Sequence, residues 1–265
     1  MEADDPKLSL VVGGKSVGAH LDAAIARGDV VRRDDGSLGL NHIAPDRGDV
    51  VTRKGGFLGR PGENDRPCGF LNGFLFNQAY GQAQPPSGCR SCFKLKISTR
   101  SLRALMAAKA IAEETPYTTK SGADVDNPTN ADVYTTYLYM DGLEQARSVH
   151  ASLRRRLDEH AHLGAAAVMT IKRGCTNYER ACGPSDRYAF DRGLDEVESY
   201  LATRFRDDEA PRTVPKDSVA PLRMLRLIRT AYRIGDDTYT DFTDGQPLLA
   251  PLVSYSPTVA DDEAG

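Results

Sequence analysis

Between Gly88 and Asp186 the alternation of hydrophobic and polar residues changes period repeatedly, and each change marks an element. Phe93–Ser98 (FKLKIS) alternates residue by residue, as a strand with two unlike faces does. Thr99–Glu114 carries apolar residues at helical spacing, with Ser101 or Thr99 as N-cap and Pro116 just past the end. Tyr117–Ala123 and Val133–Met140 are short runs rich in Tyr, Thr and Val, the composition of half-buried strands. Asp141–His160 returns to helical spacing, with Val149, Leu153 and Leu157 on one face and Leu143 and Ala146 joining at its start. Ala166–Lys172 closes the series as a strand. The order βαββαβ predicts an α+β protein with a ferredoxin-like core. Right-handed crossovers would give a sheet in the order 4-1-3-2, which sets the start of the first strand beside the end of the fourth.

The flanks are less regular. Ser16–Arg27 reads as a short helix stopped by Gly28. A repeat, D-V-V-x-R-x-x-G-x-L-G, occupies 29–39 and again 49–59, and each copy predicts a β-hairpin. After a Gly- and Pro-rich loop, residues 70–80 place Phe70, Leu71, Phe74, Leu75 and Gln78 at α-helical spacing, between Pro67 and Gly81. That pattern suits a core helix better than a surface for base stacking. Beyond the central unit, Leu194–Phe205 and Ser218–Ile234 predict helices, the second with Leu222, Leu225 and Ile228 inward, joined by a charged, Pro-containing linker at 207–215. From Asp236 onward the chain is acidic and weakly periodic, and disorder is expected over 258–265. The expected organisation is therefore an N-terminal helix and hairpin region (1–66), a ferredoxin-like core (67–190) and a C-terminal helical extension (191–265).

Composition narrows the function classes only slightly. With 34 basic and 37 acidic residues the net charge is −3, which gives no global case for a polyanionic partner or a membrane surface. The chain lacks an apolar run long enough to span a bilayer, and its acidic first residues lack the apolar core of a secretory signal, so a cytoplasmic location is expected. Local charge is more suggestive. Arg147, Arg154, Arg155 and Arg156 cluster on one predicted helix, and Arg223, Arg226, Arg229 and Arg233 on another that contains no acid between Ser218 and Ile234. These helices are the candidate surface for nucleic acid or for a protein partner.

Several tempting motifs fail on inspection. Residues 124–132 resemble a calcium loop but have Thr129 where glycine is required and Thr135 where the bidentate glutamate belongs. Val12-Gly13-Gly14-Lys15-Ser16 ends like a phosphate loop, yet Ser9 stands where its first glycine should be. The five histidines are scattered and form no ligand set.

The cysteines carry the strongest chemical signal. In a reducing compartment five cysteines point to ligands or free thiols in preference to disulfides. Cys89-x-x-Cys92 has the spacing of a metal-ligand pair, and the expected sheet order brings it to Cys175 and Cys182. The candidate metal ligands are therefore Cys89, Cys92, Cys175 and Cys182, with Cys68 as a fifth thiol able to replace one of them. The six residues between Cys175 and Cys182 are too many for a zinc knuckle, whereas iron–sulfur sites tolerate irregular spacing. A [4Fe–4S] cluster and a structural zinc are both expected candidates. An open iron in such a cluster would imply redox or substrate-activating chemistry.

Overall fold

The computed structural model describes residues 6–40, 57–125, 132–206 and 216–249. Two short antiparallel strands, β1 (Val11–Val12) and β2 (Lys15–Ser16), lead into α1 (Val17–Ala26). The Ser16 hydroxyl accepts from the Ala19 N–H at 3.1 Å and so caps the helix. The first copy of the repeat forms the expected hairpin, β3 (Val30–Arg32) with β4 (Leu38–Leu40). In the second copy, residues 49–56 lie outside the described residues, and the remainder, β5 (Phe57–Arg60), pairs elsewhere.

A five-stranded antiparallel sheet is the frame of the molecule. Its strands are β6 (Cys92–Thr99), β7 (Thr119–Ala123), β8 (Tyr134–Asp141), β9 (Val168–Arg173) and the added edge strand β5, in the order β5-β7-β8-β6-β9. At one end of β6, Cys92 pairs with Asp141 and Phe93 with Arg173. The residues following β9 therefore leave the sheet beside the residues entering β6.

Alternation along these strands separates two cores. Leu95, Ile97, Leu138 and Met140 face α2 (Leu102–Glu113) and α3 (Leu143–Glu159), packing with Ala108, Ile111, Leu153 and Leu157. Cys92 and Tyr139 belong to the second core, which draws on all three expected segments. It includes Leu21 of α1, Leu38 of β4, Phe70, Phe74 and Phe76, and Leu201 of α5 (Asp195–Arg204).

Four features depart from the expectations. Gly69–Ala79 is a π-helix, not an α-helix. Its buried residues are Gly69, Phe70, Leu71, Phe74, Leu75, Phe76 and Ala79, and the Tyr80 N–H bonds back to the Leu75 carbonyl at 2.8 Å, an i→i−5 step. The helix is buried nearly all round, through Phe70, Leu71, Phe74, Leu75, Phe76 and Ala79, and Gln78 accepts from Arg27 at 2.9 Å. Thr176–Cys182 forms a helix, α4, where only a cysteine loop was expected.

The last helix, α6 (Lys216–Ile234), buries a different stripe from the one drawn through Leu222 and Leu225. Those two are 50% and 41% exposed, while Leu227, Ile228 and Ala231 pack on Leu102, Leu105 and Tyr134. Two stripes compete on α6, and the one that wins continues into the ordered turn Asp237–Phe242, where Tyr239 is buried in the same cluster.

That turn also corrects the expected weak structure after Asp236. The Asp236 carboxylate accepts from the Leu102 N–H and the Tyr134 hydroxyl, both at 2.7 Å, and from the Thr238 hydroxyl at 2.7 Å. It thereby holds the N-terminus of α2, the end of a helix that favours an anion. Partial burial would raise its pKa, but the donors outweigh that and hold it below its ordinary value. Its stabilising contribution is present above the unfolded-state pKa and is lost as pH falls through the depressed folded value. Asp236→Ala is expected to cost about 1–3 kcal/mol, since a charged bond is lost and the hydroxyl of the buried Tyr134 is left unpaired. Urea unfolding at neutral pH measures that loss, and an undiminished unfolding free energy would refute the anchoring role.

Candidate metal centre

Cys89 and Cys92 are buried in the second core, and Cys68, Cys175 and Cys182 pack against it. Cys89 ends a short 3-10 turn (Ser87–Cys89), and Cys92 is the first residue of β6. Gly174 follows β9 in the left-handed region (φ +65°), and its N–H donates to the Cys92 carbonyl at 2.9 Å. A Cβ at Gly174 would also stand 3.2 Å from the Tyr178 ring, so glycine is required both for the turn and for the close approach. Cys175 is thus presented beside Cys92, as the N-cap residue of α4. Cys68 occupies the corresponding position before the π-helix.

These four sulfurs lie within one another's electrostatic reach. Cys92, Cys175 and Cys68 each bear on Cys89, and Cys175 and Cys68 bear on Cys92. Cys182 stands apart, at the far end of α4, and its thiol lies 3.4 Å from the Gln82 carbonyl. The cause is helical rise: seven residues along α4 move a side chain about 10 Å from Cys175 even though it returns to the same face. Among the described residues, no three His, Cys, Asp or Glu side chains stand in the arrangement that holds a metal ion.

The surroundings are built with care for charge. Tyr178, 1% exposed and packed against the Phe76 ring at 4.3 Å between centroids, places its hydroxyl 3.5 Å from Cys89 Sγ. The Lys94 ammonium donates to Cys175 Sγ at 3.2 Å. Arg66 holds the two cysteine-bearing loops together, donating to the Gly88 carbonyl at 2.9 Å, to Ser91 Oγ at 3.2 Å and to Asp141 at 2.9 Å. Behind Cys89, the buried Glu198 carboxylate accepts from the Ser87 and Gly88 N–H groups at 2.8 and 2.9 Å and from the Tyr80 hydroxyl at 2.8 Å.

Burial dominates the thiol chemistry. It pushes Cys89 well above the ordinary thiol range, with Tyr178 opposing, and raises Cys92 against the pull of Lys94 and Arg66.

Lys94, Tyr178, Glu198 and Arg66 escaped the sequence reading. The available signal for Lys94 was a lysine alternating inward in FKLKIS, on the same face as Cys92. The arginines marked as a partner surface divide. Arg147 pairs with Glu144 at 2.7 Å and Arg156 with Glu114, while Arg154 donates to the Gly164 and Ala167 carbonyls at 2.8 and 2.5 Å. On α3 these guanidinium groups are largely engaged in holding the helix and its following loop. Arg155 on that helix and Arg226 and Arg229 on α6 are exposed, and Arg223 is half-buried. Among the described residues no helix is long and apolar enough to cross a membrane. Comparison with known proteins yields no match at any level: no family model, no curated protein and no solved structure matches the chain.

Proposed function

We propose that Cys68, Cys89, Cys92 and Cys175 bind a [4Fe–4S] cluster at one end of a ferredoxin-like core. The observation that carries this is the convergence of four thiols from three separate stretches of chain on one partly buried site. Taken as strands one to four, β6, β7, β8 and β9 lie in the order 4-1-3-2 with antiparallel neighbours, which supports the ferredoxin-like topology with β5 as an added edge. An all-sulfur donor set excludes hard cations and suits zinc or iron–sulfur.

A single zinc would require all four sulfurs at about 2.3 Å from one point. The irregular spacing of the cysteines along the chain favours a cluster, which distributes its ligands around a larger inorganic core. When bound, a cluster with four protein ligands supplies one-electron redox chemistry or structural support. Four cysteine ligands leave no iron open, so this reading favours those roles over substrate activation. Cys68 completes the set from the N-terminus of the π-helix, Tyr178 holds its hydroxyl at Cys89, and the Gly174 turn fixes Cys175.

The test is anaerobic purification or reconstitution with iron and sulfide, followed by metal and sulfide analysis. The expected product is brown, with about four irons and four sulfides per chain. A colourless protein holding one zinc would replace the cluster with zinc at the same cysteines. Protein that retains neither metal under these conditions would refute the centre.

A further inference from the structure

Among the described residues, two lysines on the cysteine-bearing face of the sheet form no ion pair with a carboxylate. Their neighbours on that face do: Lys96 pairs with Asp132 at 2.6 Å, and Lys172 pairs with Glu179. Lys94, 8% exposed, contacts Cys175 Sγ at 3.2 Å and lies 5.1 Å from the Tyr139 ring centroid. Lys120 lies 4.8 Å from the same centroid. Among the described residues neither forms a salt bridge, although a buried ammonium is costly unless a negative charge answers it.

We infer that Lys94 and Lys120 are positioning residues for the metal centre, balancing its negative charge and raising its reduction potential. The inference rests on the cysteine centre proposed above. Four thiolates around a dication, whether zinc or the oxidised cluster core, leave two net negative charges; the Lys94 ammonium touches one of the four sulfurs, and Lys120 shares the Tyr139 ring with it. The Lys94 ammonium is held between Cys175 Sγ and the Tyr139 ring, and the Lys120 ammonium stands over the same ring. An ammonium–sulfur bond to Cys175 withdraws electron density from a ligand, and hydrogen bonds to ligand sulfurs are a recognised control on potential. Both effects favour the reduced, more negative state over the oxidised one.

The experiment compares wild type, Lys94→Met, Lys94→Arg and Lys120→Met after anaerobic reconstitution, by a redox titration followed by electron paramagnetic resonance. Methionine keeps much of the volume while removing charge and donor. The midpoint is expected to move to lower potential in both methionine variants and to return towards wild type in Lys94→Arg. A purely structural lysine would alter loading or stability without moving the midpoint of the loaded fraction. If Lys94→Met fails to fold, Lys120→Met carries the same comparison. A loaded variant with an unchanged midpoint overturns this inference and leaves the cluster in place. If the wild type binds zinc, the readout becomes competitive zinc affinity, expected to fall at least tenfold in each methionine variant; equal affinity overturns the inference. A wild type that binds no metal overturns the centre and this inference together.

Discussion

Cys175→Ala and Cys92→Ala are expected to abolish metal loading and lower the thermal midpoint by about 10 °C, whereas Cys182→Ser should leave both nearly unchanged. A structural centre contributes folding free energy because the unfolded chain lacks the assembled site. If about 3–5 kcal/mol of that contribution is lost, a chain of this size shifts its midpoint by roughly 2–4 °C for each kcal/mol. Packing must be separated from ligation, because Cys92 is only 3% exposed and truncating its thiol costs about 1 kcal/mol by itself. That packing loss is present with or without metal. The midpoint difference between loaded and metal-free wild type, set against the same variant without metal, therefore isolates the centre. Cys68→Ala discriminates between the two quartets. It should behave like Cys175→Ala if Cys68 is the fourth ligand, while metal retained in Cys68→Ala and lost in Cys182→Ser would restore the quartet drawn from spacing. Unchanged midpoints on loading would indicate a core stable by packing alone, with a centre used for chemistry.

The central elements were legible because their periods are clean. FKLKIS alternates, the stretch that became α2 carries a serine cap, and the stretch that became α3 keeps one apolar face through Leu153 and Leu157. The meeting of Cys92 and Cys175 followed from strand order alone. The place of Cys182 did not, because it depended on whether residues 176–182 were loop or helix. In a loop, Cys182 could have folded back; in α4 it is carried away from Cys175 by two turns. Cys68 was hard to place for a related reason. Its position depends on the π-helix, whose hydrophobic spacing over so few residues reads nearly as well as an α-helix. The lysines and Glu198 are contextual, since a charged residue in a strand or an amphipathic helix is assigned to solvent until its neighbours are known. Glu198 lies between Val197 and Ser199 in an acidic-looking turn, beside Glu196 and Asp195, and nothing local distinguishes it as the buried member.

Glu198→Ala is expected to destabilise the protein by about 3–5 kcal/mol, with Glu198→Gln costing roughly half as much. The carboxylate is 5% exposed, and it answers two backbone N–H groups and the Tyr80 hydroxyl. Alanine leaves all three donors buried without an acceptor, whereas glutamine keeps one carbonyl oxygen for them. Burial raises the Glu198 pKa above its ordinary 4.5, with the Gly88, Ser87 and Tyr80 bonds opposing it. The contribution of this ionisation is therefore fully present below the unfolded value and is lost as pH rises through the higher folded one. Glutamine removes that slope, so the gap between wild type and Glu198→Gln should be widest in acid and narrow towards neutral pH. The effect on metal follows from the same bonds, because Ser87 and Gly88 form the turn that ends in Cys89. Releasing that turn should weaken loading at a site whose other three thiols are untouched, and Glu198→Gln should load better than Glu198→Ala. Chemical denaturation across acidic and neutral pH, paired with metal analysis of the same samples, measures both effects. Full metal occupancy in a clearly destabilised Glu198→Ala would show that Glu198 supports the core without positioning Cys89.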